Sequence, residues 1–150
     1  MRTFVLDRLP RRARWNICGS ALDFAFLPEG LDLRQIDPGD IVGGPIPEEW
    51  AGCWVFGMYN YADGGGASPW IAVRERDGFV CGLDAEREGS APFIFNSSLD
   101  RFISIFNLFN GHFPANQALA RDTVLQARAL DADAFDNSEW RMLCDLIVRT

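Results

Sequence analysis

The segment from Cys53 to Phe109 constrains the fold most, because several β-type runs within it lead directly into one amphipathic helix. The runs that predict strands are residues 53–61, 70–75, 79–84 and 92–95. Turn-forming residues separate the first two runs at 62–69, and the pair Asp77-Gly78 favours a tight hairpin turn before the third run. The segment therefore predicts a meander of strands that ends in a helix.

The expected helix begins after Asn96, Ser97 and Ser98, whose side-chain oxygens can accept hydrogen bonds from the free N–H groups of a first helical turn. Apolar residues then recur at three- and four-residue steps, at Leu99, Phe102, Ile103, Phe106 and Phe109. Such a stripe faces a sheet or another helix. We expect it to be buried against the sheet formed by residues 53–95.

The N-terminal third has a weaker pattern. Residues 22–26 alternate in the manner of a short strand, and Pro28-Glu29-Gly30 predicts a turn after it. The basic opening, up to Trp15, is compatible with a frayed terminus or with a short helix. The segment Asp37–Pro47 holds three prolines and three glycines, so we expect a loop there.

Two further helices are expected, at residues 115–130 and at 138–148, the second with Ser138 as its cap. A chain of 150 residues that is 48% hydrophobic has enough apolar side chains for one core and too few for two. We expect a single domain over residues 1–150. Its class should be α+β, with a small, mainly antiparallel or mixed sheet and helices packed against it.

Apolar runs in the sequence are too short for a membrane-spanning helix, and the basic opening is not followed by the apolar segment of a signal peptide. We therefore expect a cytoplasmic protein. The four cysteines are spread through the chain without a C-x-x-C pair. They are expected to be small, buried, reduced side chains rather than disulfide partners or metal ligands.

Charge is distributed unevenly along the chain. Residues 1–14 carry five arginines and one aspartate, a charge of +4, so residues 15–150 carry −11. Within 23–49 there are seven carboxylates and one arginine. Such a field opposes binding to nucleic acid or to an anionic membrane, and it steers a basic partner towards the protein. Solubility alone is the competing explanation for an acidic surface.

No catalytic constellation is evident in the sequence. His112 is the only histidine, and its position after a helix is more typical of a helix end than of a catalytic base. The triple glycine at 64–66 lacks the Lys-Ser/Thr of a phosphate-binding loop. We expect no catalytic residue, no cofactor and no metal, although a hydrolase that uses His112 with a loop carboxylate stays an alternative.

Acidic loops and nearby tryptophans are the candidate binding residues. Tryptophan is enriched in the energetically dominant parts of protein interfaces, and rim carboxylates accelerate encounter with a basic partner. The residues expected to contact a partner are Asp37, Asp40, Glu48, Glu49, Trp50, Trp70, Asp84, Glu86 and Glu88.

The order of elements between residues 53 and 110 resembles a known family. The residues that carry the resemblance are Gly57, Asp63-Gly64-Gly65, Ile71-Ala72-Val73, Gly78, Val80, Leu83-Asp84 and the run Phe95-Asn96-Ser97-Ser98-Leu99-Asp100-Arg101-Phe102-Ile103. This pattern resembles the SUKH superfamily, the bacterial immunity proteins related to the fungal cell-wall-assembly regulator. The N-terminal third departs from the family pattern.

The resemblance implies an α+β fold and a non-enzymatic protein that binds and neutralises a polymorphic toxin, often a nuclease or a deaminase. It supplies no catalytic residue. The first hypothesis is therefore an immunity-type domain that binds a basic toxin. A regulatory or scaffold domain that binds an endogenous protein is the second hypothesis.

Overall fold

Six strands form one antiparallel sheet in which every strand lies beside its neighbour in the sequence. A computed structural model describes residues 8–17, 20–32, 48–61, 69–84, 91–111 and 121–148. The strands are β1 (Arg12–Ile17), β2 (Ser20–Asp32), β3 (Cys53–Tyr61), β4 (Trp70–Arg74), β5 (Val80–Leu83) and β6 (Phe93–Asn96). The helices are α1 (Leu99–Asn110), α2 (Arg121–Leu130) and α3 (Glu139–Val148), with single 3-10 turns at Glu48–Trp50 and Phe135–Asn137. The expected α+β class, with an antiparallel sheet and helices, is confirmed.

The hairpin between β4 and β5 turns at Asp77-Gly78, as the sequence predicts. Gly78 has a φ of +76°, a region that glycine adopts without strain, and its N–H donates to the carbonyl of Arg74 over 2.7 Å. Asp77 accepts hydrogen bonds from the Arg74 guanidinium, which lowers the pKa of the Asp77 carboxyl, and from the N–H of Phe79. The turn is therefore held by backbone geometry and by a local ion pair.

Strand β1 corrects the prediction for the N-terminus, which was a frayed end or a short helix. Residues 12–17 pair with β2 along their whole length, as the edge strand of the sheet. Trp15 is fully buried, and its indole N–H donates to Asn110 Oδ1 at the end of α1 over 2.9 Å. Burial of this large ring, together with the pairing to β2, attaches residues 12–17 to the core.

Strand β2 is longer than predicted, and the turn expected at Pro28-Glu29-Gly30 is wrong. The strand continues to Asp32, and the pairing with β3 shifts between Phe26 and Leu31. Gly30 lies in this bulge with a φ of +65°, and a Cβ there would come within 2.1 Å of the Trp54 ring. The turn-forming residues thus make an irregularity within a strand instead of ending it.

The helices cover one face of the sheet, here called the helix face. On α1 the predicted stripe is buried, since Phe102, Ile103, Phe106 and Phe109 are fully buried and Leu99 packs against them in part. The sheet that it packs on is wider than the expected residues 53–95, because Phe106 contacts Phe24 and Phe26 of β2. The Ser98 hydroxyl accepts from the N–H of Arg101 and caps the helix, as expected. Ile105 is also fully buried, although it is not part of the predicted stripe.

The later helices agree with their predictions where the structure describes them. Ser138 precedes α3, and its hydroxyl accepts from the N–H of Arg141 over 3.3 Å. Helix α2 is described from Arg121, so the predicted part at 115–120 lies outside the described residues, as does the loop expected at Asp37–Pro47. Within the described ranges, no helix is both long and apolar enough to cross a membrane.

The second face of the sheet is covered over only part of its width. A smaller apolar cluster lies there on strands β3, β4 and β5, with the 3-10 turn at Glu48–Trp50 above it. Its buried members are Trp50, Cys53, Val55, Ala72 and Leu83. Leu27 and Trp70 pack at the edge of this cluster. Over β1, β2 and the end of β3, no described element covers the second face.

Candidate functional site

The half of the second face that no described element covers contains a groove, which is the candidate site. Its volume is about 480 Å³. The residues around it belong to β1, β2 and β3 and are Arg12, Ala13, Arg14, Asp23, Phe24, Ala25, Met58, Tyr59 and Asn60. Because side chains alternate along a strand, Ala13, Phe24 and Tyr59 belong to the core on the helix face. The six other residues of this set lie on the groove side of their strands.

Strand register arranges the groove residues in two rows that cross the sheet. One row pairs Arg12 with Ala25, Ala25 with Met58, and Met58 with Trp70 of β4. The other row pairs Arg14 with Asp23, and Asp23 with Asn60. The first row therefore runs from a cation at the sheet edge, across a small and a flexible apolar side chain, to an aromatic ring.

The second row is closed by an ion pair. Arg14 donates to both oxygens of Asp23, with Nε–Oδ1 at 2.6 Å and Nη2–Oδ2 at 2.9 Å. These hydrogen bonds lower the pKa of the Asp23 carboxyl, so Asp23 is ionised at neutral pH. The charges of Arg14 and Asp23 therefore compensate each other. Asn60, the third residue of this row, is an exposed polar side chain.

Arg12 differs from Arg14 in having no such partner. Its side chain is exposed and forms no ion pair or hydrogen bond with any described residue, and the same is true of the neighbouring Arg11 side chain. Arg8, by contrast, pairs with Asp100 over 2.9 Å. Arg12 thus presents its guanidinium group to solvent at the edge of the groove, on a chain whose net charge is negative.

Trp70 lies next to the groove, on β4, where it pairs with the groove residue Met58. Its ring centroid lies 6.2 Å from that of Trp50 at an interplanar angle of 54°. Trp70 is half-buried, whereas Trp50 is only 2% exposed. A partner can therefore reach Trp70 directly, while it can reach Trp50 only if the 3-10 turn moves.

Several residues predicted to contact a partner are next in the chain to Trp50 or to Leu83. Glu49 is exposed on the 3-10 turn that carries Trp50, and Asp84 follows Leu83, the residue paired with Trp70. Glu48 begins the same 3-10 turn, and its side chain lies outside the described part. The other predicted contacts, Asp37, Asp40, Glu86 and Glu88, lie outside the described residues.

The groove residues on β1 and β2 were not among the predicted contacts. The alternation of apolar residues in β2 could have indicated the two on that strand, since Leu22, Phe24 and Phe26 are buried and Asp23 and Ala25 between them are not. The rows across three strands follow from pairing register, which local sequence does not contain.

A buried polar cluster on the helix face is the second arrangement of chemical interest. Asp131, 0% exposed, accepts hydrogen bonds from Asn96 Nδ2 at 2.9 Å and from the Ser97 N–H and hydroxyl at 2.8 and 2.7 Å. Arg101 donates to Asp131 and to Asp133. Asn96 Oδ1 in turn accepts from the indole N–H of Trp140 over 2.7 Å.

This cluster is a structural clamp. Burial alone would raise the pKa of Asp131, but the hydrogen bonds from Ser97 and Asn96 outweigh burial and hold it below its usual value. No buried side-chain nitrogen or oxygen lacks a hydrogen-bond partner in the part of the chain that the structure describes. The carboxylate therefore joins the β6–α1 corner to the segment between α2 and α3.

The cysteines that the structure describes are free and buried, as expected for Cys53, Cys81 and Cys144. Burial raises the pKa of the Cys81 thiol to about 11, and it also raises that of Cys53. Both thiols are therefore protonated at neutral pH and are poor nucleophiles.

Two further candidates from the sequence are a catalytic histidine and a metal site. His112, the histidine of the hydrolase alternative, lies outside the described residues. Among the described residues, no group of three or more histidine, cysteine, aspartate and glutamate side chains is placed to hold a metal ion. The chain matches no known protein-family model, no curated protein and no solved structure.

Proposed function

We propose that this chain is a non-enzymatic protein-binding domain, and that its partner is a basic toxin domain which it neutralises in the cytoplasm. One observation carries the proposal: helices cover one face of the sheet, while a groove lies open on the other face over β1, β2 and β3. Arginine, methionine and tryptophan are enriched in protein interfaces. Arg12, Met58 and Trp70 lie in one row of this open half.

Charge supports a basic partner. Residues 15–150 carry −11, Glu49 is exposed beside Trp50 in the chain, and half-buried Asp84 follows Leu83, the residue paired with Trp70. Carboxylates at the rim of an interface raise the association rate of a positively charged protein, and salt weakens this effect by screening. The toxin as the partner follows from the resemblance to immunity proteins.

The proposal is tested by capture of the protein that is encoded beside this gene. The tagged chain should retain a basic toxin domain, and their association rate should fall as the salt concentration rises. Neutralising Glu48 and Glu49 to glutamine should lower the association rate and flatten its salt dependence. The control is Asp100→Asn with Asp122→Asn, which removes the same charge from exposed positions on α1 and α2.

Two outcomes would contradict this function. An acidic partner, or an association rate that does not depend on salt, would contradict the proposal that the carboxylates attract a basic partner. Capture of an endogenous regulatory protein, from a gene with no toxin beside it, would replace the toxin with the second hypothesis, a scaffold domain that uses the same open surface.

A further inference from the structure

We infer that the groove binds an extended segment of the partner in which a carboxylate residue is followed, two and four positions later, by apolar residues. This inference deepens the proposed function and rests on it, because the ligand is taken to be a segment of a protein. It assigns the row Arg12, Ala25, Met58 and Trp70 to one ligand segment, and it does not require the partner to be a toxin.

The carboxylate position follows from Arg12. The Arg14 guanidinium is hydrogen-bonded to Asp23, whereas the Arg12 side chain forms no ion pair or hydrogen bond with a described residue and is exposed at the end of the row. A guanidinium binds a carboxylate through paired hydrogen bonds. A polyanion such as nucleic acid fits poorly, because it would extend beyond this edge over a body that carries −11.

The apolar positions follow from Ala25, Met58 and Trp70. Ala25 leaves space above the sheet, and Met58 next to it has a flexible side chain that adapts to different apolar ligands. Trp70 follows Met58 in the row, and its ring lies against that of Trp50. An apolar side chain placed over Ala25 and Met58 would therefore contact adaptable surface, and the next one would pack against a braced aromatic ring.

The spacing of the row matches the repeat of an extended peptide. Neighbouring strands lie about 4.8 Å apart, so Arg12 and Trp70 are separated by about 14 Å across three strand spacings. In an extended peptide, residues i and i+4 lie about 13 Å apart, and residues i, i+2 and i+4 face the same side. A segment that crosses the strands can thus place all three side chains on the row.

The test uses a defined peptide and the whole chain. The probe is Glu-Thr-Leu-Thr-Phe flanked by Gly-Ser at both ends, titrated into the ¹⁵N-labelled protein and followed by NMR. We expect saturable shifts at Ala25 and Met58. We also expect about fivefold weaker binding when the glutamate is replaced by lysine, because the binding free energy of an exposed ion pair corresponds to a change in Kd of about this size.

Variants of the groove identify the contacts. Arg12→Glu should weaken binding of the glutamate peptide and should restore binding of the lysine peptide, an exchange that loss of folding cannot produce. Ala25→Glu should block both peptides, with the folded state confirmed by its unfolding transition. Arg76→Glu is the matched control, since Arg76 is exposed in the β4–β5 turn and away from the groove, and it should leave binding unchanged.

Clear results would overturn the inference. These are no binding of the glutamate peptide up to about 1 mM, equal binding by the wild-type and Arg12→Glu proteins, or shifts confined to α2 and α3. Self-association that Ala25→Glu abolishes would assign the groove to a second copy of the chain instead. Peptide binding without capture of a toxin would contradict the proposed partner and leave the groove assignment intact. Capture of a toxin without peptide binding would contradict the groove assignment and leave the proposed partner intact.

Discussion

Removal of the Asp131 carboxylate should destabilise the protein more than removal of any exposed acidic group. Asp131→Ala leaves the Asn96 amide and the Ser97 N–H without their acceptor in a buried site. Each buried donor left unsatisfied costs about 1–3 kcal/mol, and loss of one partner from a buried ion pair costs about 3–5 kcal/mol. Because Arg101 is 43% exposed and water can solvate it, we expect a loss of about 3–4 kcal/mol.

The assay is urea unfolding followed by tryptophan fluorescence, with Asp133→Ala as the matched control. Asp133 also pairs with Arg101, at 3.1 Å, but its side chain is 78% exposed. An exposed pair of this kind contributes about 0.2–1 kcal/mol. A loss below about 1 kcal/mol for Asp131→Ala, or equal losses for the two variants, would refute the structural role of the buried cluster.

The same cluster predicts a pH dependence of stability. The pKa of Asp131 in the folded protein lies below its value in the unfolded chain, which is about 3.9. Its contribution is therefore complete above that pH and is lost as the pH falls through the folded-state pKa. Asp131→Asn should remove this part of the acid sensitivity, and an unchanged acid transition in the variant would contradict it.

Three further predictions concern packing and reactivity. Phe102→Ala should lower the free energy of unfolding by about 3–5 kcal/mol, while Leu125→Ala, at a 57% exposed position, should lower it by less than about 1 kcal/mol. Gly30→Ala should cost about 2–4 kcal/mol because strain at positive φ adds to the clash with the indole, whereas Gly52→Ala meets no atom within 4 Å and should cost about 1 kcal/mol. The Cys81 thiol should react slowly with a disulfide reagent at pH 8 until urea unfolds the chain, and fast labelling of the native protein would contradict its burial.

Elements with a strong local pattern were predicted from the sequence with accurate limits. Strand β3 covers Cys53–Tyr61, as its continuous aromatic and β-branched residues predict, and α1 begins at Leu99 after the predicted Ser98 cap. In both cases local propensity and burial favour the same structure. In edge strand β1, Ala13 and Trp15 point inward and alternate with Arg12 and Arg14, which is too short an alternation to indicate a strand.

Features that depend on distant pairing were not predictable in this way. Local sequence predicts a turn at Pro28-Glu29-Gly30. The bulge observed there involves the Trp54 ring of another strand, a contact that local sequence does not contain. The Asp131 cluster joins side chains 30 to 35 residues apart. The packing of the Trp50 ring in the second apolar cluster was also not predicted, because its neighbours there come from three strands; its role as a partner contact stays a prediction.

Amide hydrogen exchange of the chain, alone and bound to the protein encoded beside its gene, tests most directly whether the open half of the sheet is the binding surface. Binding should slow exchange in β1 and in the part of β2 paired with it, residues 20–25, and should leave α2 and α3 unchanged. Protection confined to α2 and α3, with none in β1, would contradict the central claim.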